Sequence, residues 1–476
     1  MLTSDEMAVV DANSEALGVP RKQLMESSGN AVARAVRERT AAGDAVALVC
    51  GRGNNGGDAL VAARFLRERE VTVHLLGRPE TITTEIAREN WTALTRTEID
   101  TRIVTDSRGF ELGTPALAVD AMLGTGITGV LREPEATVAH TLNDADCPVL
   151  SVDSPSGVDA DTGTAAGPAV DADAVVTFHD AKPGLADLAA DVTVADIGIP
   201  AAAETFVASG DLLRLSRSPD SHKGDHGEVL VVGGGPYTGA PALAAQAALR
   251  AGADLARVAC PSRIASEVQG YAEDLIVHDC DGDRLAPAHV EELLSRAAAT
   301  DTVVLGPGLG SHDETLAAVE SFLADYDGTA VVDADALRVV PDVETDATLV
   351  CTPHQGELRA MSGATADDPA ELADLVESFA AELDHTLLVT GREDVISDGD
   401  RTRRNRAGNA GMTVGGTGDV LAGTVGALAC RLRPREAASV AAYATGRAGE
   451  LVSETHGPGL TAGDLVAALP RALDGE

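Results

Sequence analysis

The stretch Ala45-Val46-Ala47-Leu48-Val49-Cys50-Gly51-Arg52-Gly53-Asn54-Asn55-Gly56-Gly57-Asp58 decides how this chain reads. Its first six residues are apolar without a break, as a strand must be when helices cover both faces of a parallel sheet. Glycines then turn the chain, and Asp58–Arg69 reads as a helix. Strand, glycine turn and helix are the start of a βαβ unit, and the alternation continues outward from there. Further strands are expected at Val71–Leu76, Ala116–Asp120, Pro148–Asp153 and Asp173–Phe178, with a helix at Glu85–Arg96. A second series is expected at Glu228–Val232, Ala256–Cys260, Thr302–Leu305, Thr329–Asp333, Thr348–Cys351 and Thr386–Thr390. Its helices read as about Pro241–Ala251, Gly418–Arg431, Glu436–Glu454 and Thr461–Leu469, the last stopping before Pro470. Between Ile197 and His222 lie Ile199-Pro200 and the linker-like Ser216-Arg217-Ser218-Pro219-Asp220-Ser221. The fold class is therefore α/β in two domains, expected at 1–212 and 217–476, with no repeat between them.

Composition sets the outer limits. A chain of 476 residues suggests two or three domains at ~150 residues each. Asp plus Glu is 75 against 36 for Lys plus Arg, a formal net charge of −39, while a 44% hydrophobic content is that of a globular protein. No apolar run approaches the ~20 residues that span a bilayer. The start, Met1 to Glu6, lacks the basic and apolar regions of a signal peptide, so a cytoplasmic protein is expected. Lys22, Lys182 and Lys223 are the only lysines. A strongly acidic chain poor in lysine suggests a halophilic protein, since charge is screened within ~3 Å at 1 M salt. An acidic face for basic partners is the alternative; acids spread along the whole chain favour the salt reading and argue against nucleic acid. Cys50, Cys147, Cys260, Cys280, Cys351 and Cys430 show no metal spacing and read as reduced thiols. With aromatics at 2% no interface anchor stands out, which leaves a homo-oligomer open.

The Gly51–Asp58 loop contains GxGxxG, but the next strand ends His74-Leu75-Leu76-Gly77, without the acid that would hold a ribose. An ordinary dinucleotide-dependent dehydrogenase is disfavoured. Alone, the loop is equally well a tight turn with Asp58 as helix cap or an anion cradle. Two further loops, Val119-Asp120-Ala121-Met122-Leu123-Gly124-Thr125-Gly126 and Val152-Asp153-Ser154-Pro155-Ser156-Gly157-Val158-Asp159, also put an acid and a glycine at the carboxyl end of a strand. That is where open parallel sheets bind ligands. Asn55, Asp120 and Ser156 offer only oxygens, the donors of a hard cation.

With Thr177-Phe178-His179-Asp180-Ala181-Lys182-Pro183-Gly184 downstream, these loops closely resemble the NAD(P)H-hydrate epimerase family over about residues 1–210. The resemblance implies a Rossmann-like three-layer αβα domain that interconverts the R and S forms of hydrated NADH and NADPH and binds a potassium ion. Carried over, Asn54, Asn55, Gly56, Gly57 and Asp58, the loop Gly124, Thr125, Gly126, Ile127, Thr128, Gly129 and Val130, and Asp153 would hold the substrate. Asn55, Asp120 and Ser156 would hold potassium. Asp153 is the expected acid/base group at the hydrated carbon. Lys182 reads either as a phosphate counter-charge or as a surface lysine.

A second glycine loop, Val414-Gly415-Gly416-Thr417-Gly418-Asp419, leads into an alanine-rich helix. Amides of Gly416, Thr417 and Gly418 would point at one anion. Asp419 beside them reads as the group that takes the proton of an attacking hydroxyl in phosphoryl transfer, or as an acid favoured by the helix dipole. His222–Gly227, Gly233–Ala240, Gly306–Gly310, Val332–Leu337 and Thr352–Glu357 each lie at an expected strand edge. His354 there is either a plain loop residue or faces a ligand.

This array, above all Gly408–Gly423, resembles the ribokinase-like fold and most closely the ADP- or ATP-dependent NAD(P)H-hydrate dehydratases, over about residues 217–476. The resemblance implies that ADP or ATP, with Mg2+, phosphorylates the S hydrate and that loss of phosphate restores the dihydronicotinamide. Ala240, Gly308, His354 and Asp419 would meet the hydrate, with Asp419 as base. Thr390, Gly391, Arg392, Glu393 and Asp394, with Gly416, Thr417 and Gly418, would meet the nucleotide. Two positions depart from the family pattern: Gln355 replaces a proline, and Thr390 stands where a lysine belongs. Arg392 offers a guanidinium from a different position. The expected protein is a bifunctional repair enzyme acting on small molecules. Its rivals are a kinase releasing a stable phosphorylated product and a first domain that only binds.

Overall fold

The computed structural model describes residues 1–126, 129–215 and 219–475. Two compact units emerge, Met1–Ala203 and Glu204–Glu476.

In the first unit seven strands form one parallel sheet: β1 (Ala45–Cys50), β2 (Glu70–Leu76), β3 (Asp100–Val104), β4 (Leu117–Ala121), β5 (Val149–Val152), β6 (Ala174–Phe178) and β7 (Asp191–Ala195). Their order is β3-β2-β1-β4-β5-β6-β7, with Val46 of β1 opposite both Val71 and Leu117. Alternate residues of β1 face opposite layers. Val46, Leu48 and Cys50 pack with helices α1 (Ser4–Ala16), α2 (Arg21–Arg39), α3 (Asn54–Phe65) and α4 (Glu85–Leu94). Ala47 and Val49 pack with Val138 and Leu142 of α5 (Glu135–Asn143). The chain winds outward from β1 to β3 and then returns to β4 on the other side of β1. That reversal opens a crevice between the loops after β1 and β4, the natural ligand site of such a sheet.

The expected helix at Asp58–Arg69 starts four residues earlier, at Asn54, and ends at Phe65. The glycine loop is therefore largely the first turn of α3, and Asp58 does not cap it. Helices α1 and α2 had no sequence counterpart above, although Thr3 and Glu6 form a capping box at the start of α1.

After the single turn α6 (Ala202–Thr205), the second unit holds nine strands: β8 (Glu228–Val232), β9 (Leu255–Pro261), β10 (Ile276–Cys280), β11 (Thr302–Leu305), β12 (Thr329–Val332), β13 (Thr348–Cys351), β14 (Thr386–Val389), β15 (Asp394–Ser397) and β16 (Thr402–Asn405). Their order is β10-β9-β8-β11-β12-β13-β14-β15-β16, parallel as far as β14 and antiparallel beyond it. Flanking helices are α7 (Gly239–Arg250), α8 (Ser262–Gln269), α9 (Val290–Ala297), α10 (Asp313–Asp325), α11 (Gln355–Ala360), α12 (Pro369–Leu383), α13 (Thr417–Ala429), α14 (Pro434–His456) and α15 (Ala462–Leu473). Helices α7 and α13 approach so closely that a methyl group on Gly423 would lie 1.9 Å from the Ala244 carbonyl oxygen.

Three features of the second half depart most from the sequence reading. Helix α15 continues through Pro470, because Leu465, Leu469 and Ala472 fill one apolar seam with Ala247 and Ala448. The β15–β16 hairpin was not expected. The units divide at Ala203, before the expected 212, because 204–215 is fastened to β16. There Arg403 Nη2 donates to Phe206 O at 2.8 Å and pairs with Asp211 at 3.1 Å, and Val207 N donates to Arg404 O at 2.9 Å. Ser216, Arg217 and Ser218 of the expected linker lie outside the described residues. All six cysteines are free thiols. No helix among the described residues is long and apolar enough to cross a membrane.

Candidate active sites

In the first unit the crevice is closed at its base by backbone against backbone. A methyl on Gly51 would lie 1.7 Å from the Met122 carbonyl oxygen, and one on Gly56 would lie 2.1 Å from the Gly51 oxygen. Only glycine permits this approach. Asp120, fully buried at the end of β4, accepts four hydrogen bonds: Ser151 Oγ at 2.9 Å, Ser156 N at 2.9 Å, Ser156 Oγ at 2.6 Å and Met122 N at 3.2 Å. Burial raises its proton affinity and these donors oppose that rise. Asn55 lies in the first turn of α3, and a methyl on Gly124 would sit 3.3 Å from its Cβ. Both atoms of the Asn55 side-chain amide are buried and have no hydrogen-bond partner. A buried amide oxygen without a partner needs a counterpart. The loop after β4 links this amide, through Gly124, to Ser156, through Leu123, and the oxygens of Asn55, Asp120 and Ser156 are of the kind potassium takes.

The other expected substrate residues divide by exposure. Asn54, Gly126, Gly129 and Val130 are exposed, Gly124 and Thr125 are half-buried, and Gly56, Gly57 and Asp58 are buried. Ile127 and Thr128 lie outside the described residues. Asp58 accepts a short hydrogen bond from Ser28 Oγ of α2. Its burial, together with the nearby charges of Asp153 and Asp11, raises its pKa well above the carboxylate range, against the Ser28 bond.

Asp153 follows β5 with a left-handed backbone, φ 65°. Aspartate tolerates that region better than most residues, and such geometry gathers at functional sites. The structure corrects both sequence readings of Lys182. It is neither a surface lysine nor open to a phosphate: at 1% exposure its ammonium pairs with Asp153 Oδ1 at 3.0 Å. It also donates to Thr177 Oγ1 at 2.9 Å and Phe178 O at 3.0 Å. Thr177 Oγ1 in turn donates to Asp153 Oδ1 at 3.0 Å. Asp11 of α1, its pKa pushed up to about 6 chiefly by burial and further by Asp153, completes a group of three carboxyls. The sequence reading missed Asp11 and Ser28, because nothing local marks a helix residue that acts across the fold.

In the second unit the pieces converge at the carboxyl ends of β11, β12 and β13. Gly416 has φ 97° and opens α13, and no side chain caps the amides there. A methyl on Gly416 would meet Leu243 of α7 at 2.8 Å, and one on Gly308 would meet Ala240 at 3.1 Å. Ala240, Gly308 and the Gly416 loop thus form one contiguous surface. Asp419, in the first turn of α13, accepts no hydrogen bond among the described residues, and burial pushes its pKa up to about 6. Asp333, just after β12, accepts from Thr352 Oγ1 at 2.7 Å. Burial first, then the charges of Asp419 and Glu357, push it up to about 7. The sequence reading quoted Asp333 but gave it no role.

His354 begins α11. Its Nδ1 accepts from Gly356 N at 2.9 Å and Glu357 N at 3.0 Å, and its Nε2 lies 3.7 Å from Glu357 Oε2, on a side chain 62% exposed. The segment expected to meet the nucleotide, Thr390 to Asp394, lies against it: Thr390 N donates to Pro353 O at 2.9 Å. Within that segment Glu393 is engaged by Arg404 and, at 3.0 Å, by Arg406. Asp394, pushed up to about 6 by burial, accepts from Gly391 N at 3.1 Å and Asn405 Nδ2 at 2.9 Å. Thr390, Gly391 and the exposed Arg392 are the members left open to a ligand.

Comparison with known proteins adds the following. Residues 21–184 match the family model described as YjeF-related protein N-terminus, and residues 229–471 match that of NAD(P)H-hydrate dehydratase. A bifunctional NAD(P)H-hydrate repair enzyme of Methanothermobacter thermautotrophicus is 43% identical over 492 residues, covering 98% of this chain and 94% of its own. Among solved structures, a hypothetical protein from Streptococcus mutans superposes with a TM-score of 0.51 at 22% identity, covering 57% of this chain and 99% of that one. The ADP/ATP-dependent NAD(P)H-hydrate dehydratase from Bacillus subtilis, co-crystallized with ATP and Mg2+, reaches a TM-score of 0.49 at 25% identity, covering 57% and 98%.

Proposed function

The chain belongs to the bifunctional NAD(P)H-hydrate repair enzymes, with an epimerase domain followed by an ADP/ATP-dependent dehydratase domain, and on that premise we propose which of its groups perform each reaction. In the first unit Asp153 gives a proton to the hydroxyl leaving the hydrated ring carbon, and the ring nitrogen's electron pair stabilises the resulting cation. Water then adds to either face and returns its proton to Asp153. Asn54 to Asp58 and the loop 124–130 hold the substrate. Asn55, Asp120 and Ser156 would hold potassium, which would supply positive charge for an anionic substrate.

In the second unit Asp419 takes the proton from the hydroxyl of the S hydrate as the terminal phosphoryl group of ADP or ATP is transferred to it. The amides of Gly416, Thr417 and Gly418 stabilise the charge on that group without reorganising. Ala240, Gly308 and His354 border the hydrate, and Thr390, Gly391 and Arg392 the nucleotide. The phosphate ester then loses phosphate and a ring proton, and the double bond returns. Mg2+ would come with the nucleotide and would offset the charge of its phosphates. A salt-rich cytoplasm is the setting that suits the spread of carboxylates.

The observation that carries this reading is Asp419: a carboxylate with no hydrogen-bond donor, half-buried beside uncapped helix amides. Such a group is placed to accept a proton and has no structural task. The test is a coupled assay on separated R and S hydrates with ADP or ATP, following phosphate release and the absorbance of reduced nicotinamide together. Asp419→Asn should abolish recovery from both epimers, and Asp153→Asn should slow recovery from R alone. A stable phosphorylated product would favour the kinase reading. Failure of the wild-type chain to convert R into S faster than the spontaneous rate would favour a binding-only first domain.

A further inference from the structure

Lysine is scarce here, three residues against a total of 36 basic ones, yet one of the three is among the most deeply buried side chains. A buried ammonium is costly unless each proton meets an acceptor and a negative charge lies close. Lys182 meets both conditions, through Asp153, Thr177 and two backbone carbonyls. A planar guanidinium could not place its donors on acceptors that converge on a single nitrogen.

The arrangement at Asp153 is one-sided. Lys182 Nζ at 3.0 Å and Thr177 Oγ1 at 3.0 Å both meet Oδ1, and no partner among the described residues meets Oδ2. We propose that Lys182 is the positioning residue of the epimerase site: with the Thr177 hydroxyl it clamps Asp153 by Oδ1, compensates its charge, and so presents Oδ2 to the hydrated ring carbon. This rests on the reading of Asp153 as the proton-transferring group. Around Asp153 stand Asp11 from α1, Asp58 from α3 and Lys182 from the segment after β6, with Arg21 and His179 acting on Asp11. Burial drives both Asp11 and Asp58 toward the neutral form, and of these three carboxyls Asp153 is the one that the ammonium of Lys182 contacts.

The test is epimerisation of the pure R hydrate by the full chain, with kcat and KM measured across pH for the wild type, Lys182→Met, Lys182→Arg, Thr177→Val and Asp153→Asn. Without the ammonium, Lys182→Met should lower kcat with KM little changed. Because Asp153 starts the reaction protonated, the alkaline limb of the variant's pH profile should move up by about 1–3 pH units, the size of shift an adjacent opposite charge produces. Lys182→Arg and Thr177→Val should lower kcat while the limb stays in place, since each disturbs the clamp and keeps the charge. A Lys182→Met limb that does not move, with Asp153→Asn inactive, overturns the role of the lysine alone. An Asp153→Asn enzyme as fast as wild type overturns the assignment of Asp153 and the clamp with it. Should thermal melting show that Lys182→Met does not fold, wild-type kcat in both Lys182→Arg and Thr177→Val refutes the proposal.

Discussion

Asp419→Asn is the most direct perturbation of the dehydratase site, because the amide keeps the shape of the side chain and removes only its ability to take a proton. Loss of a positioned general base lowers kcat by about 10²–10⁴-fold. The asparagine should not unfold the protein. Asp419 makes no hydrogen bond among the described residues, and burial already disfavours its charged form, as its pKa of about 6 shows. Removing a partly desolvated charge leaves stability equal or higher. The same value fixes the pH dependence. The charged form is the active one, so kcat for the S hydrate should hold above pH 6 and fall about tenfold per unit as pH drops below it. An unperturbed aspartate would have kept activity down to about pH 4. Asp333, pushed up to about 7, is mostly neutral while Asp419 titrates, so Asp333→Asn should leave the limb where it is. The assay is phosphate release from pure S hydrate at saturating nucleotide. A rate for Asp419→Asn within tenfold of wild type, or a wild-type profile flat to pH 4.5, would refute the reasoning.

Other outcomes follow from features of the two units. At constant ionic strength, replacing a large organic cation with potassium should raise the melting temperature, and Asn55→Ala should remove that rise, because the orphaned amide oxygen is the donor lost. Gly423→Ala should destabilise the second unit by about 1–3 kcal/mol or more in a denaturant titration, since the added methyl meets the Ala244 backbone 1.9 Å away and backbone yields less than a side chain. Lowering salt from 1 M to 0.1 M lengthens the screening distance from ~3 Å to ~10 Å. A net charge of −39 should then lower the melting temperature. A melting temperature unchanged by salt would remove the halophilic reading.

Buried parallel strands were the most legible elements. Ala45–Cys50, Glu228–Val232, Thr302–Leu305 and Thr348–Cys351 form at the expected residues, since a strand covered on both faces leaves a continuous apolar run. Helix starts were less so. The glycines of 51–57 suggested a longer loop, whereas α3 begins at Asn54, because the crevice requires close backbone approach inside the helix's own first turn. The hairpin strands β15 and β16 carry charged residues such as Asp394, Arg403 and Arg404, so no apolar run announces them. At the candidate sites, the motif residues at strand ends could be picked out from the sequence. Asp11, Ser28 and the burial of Lys182 were not, because their roles depend on which distant element folds over them.

The backbone closure at Gly51 and Met122 limits how the first unit can change. Two main chains pressed together cannot be spread by altering a side chain, so the floor of the crevice offers no purchase for retuning which hydrated nucleotide enters. Any shift in preference has to be written into the exposed rim, at Asn54, Gly126, Gly129 and Val130, which can be exchanged without moving the sheet. Directed evolution of this domain should therefore accumulate its successful changes on that rim and return the floor untouched.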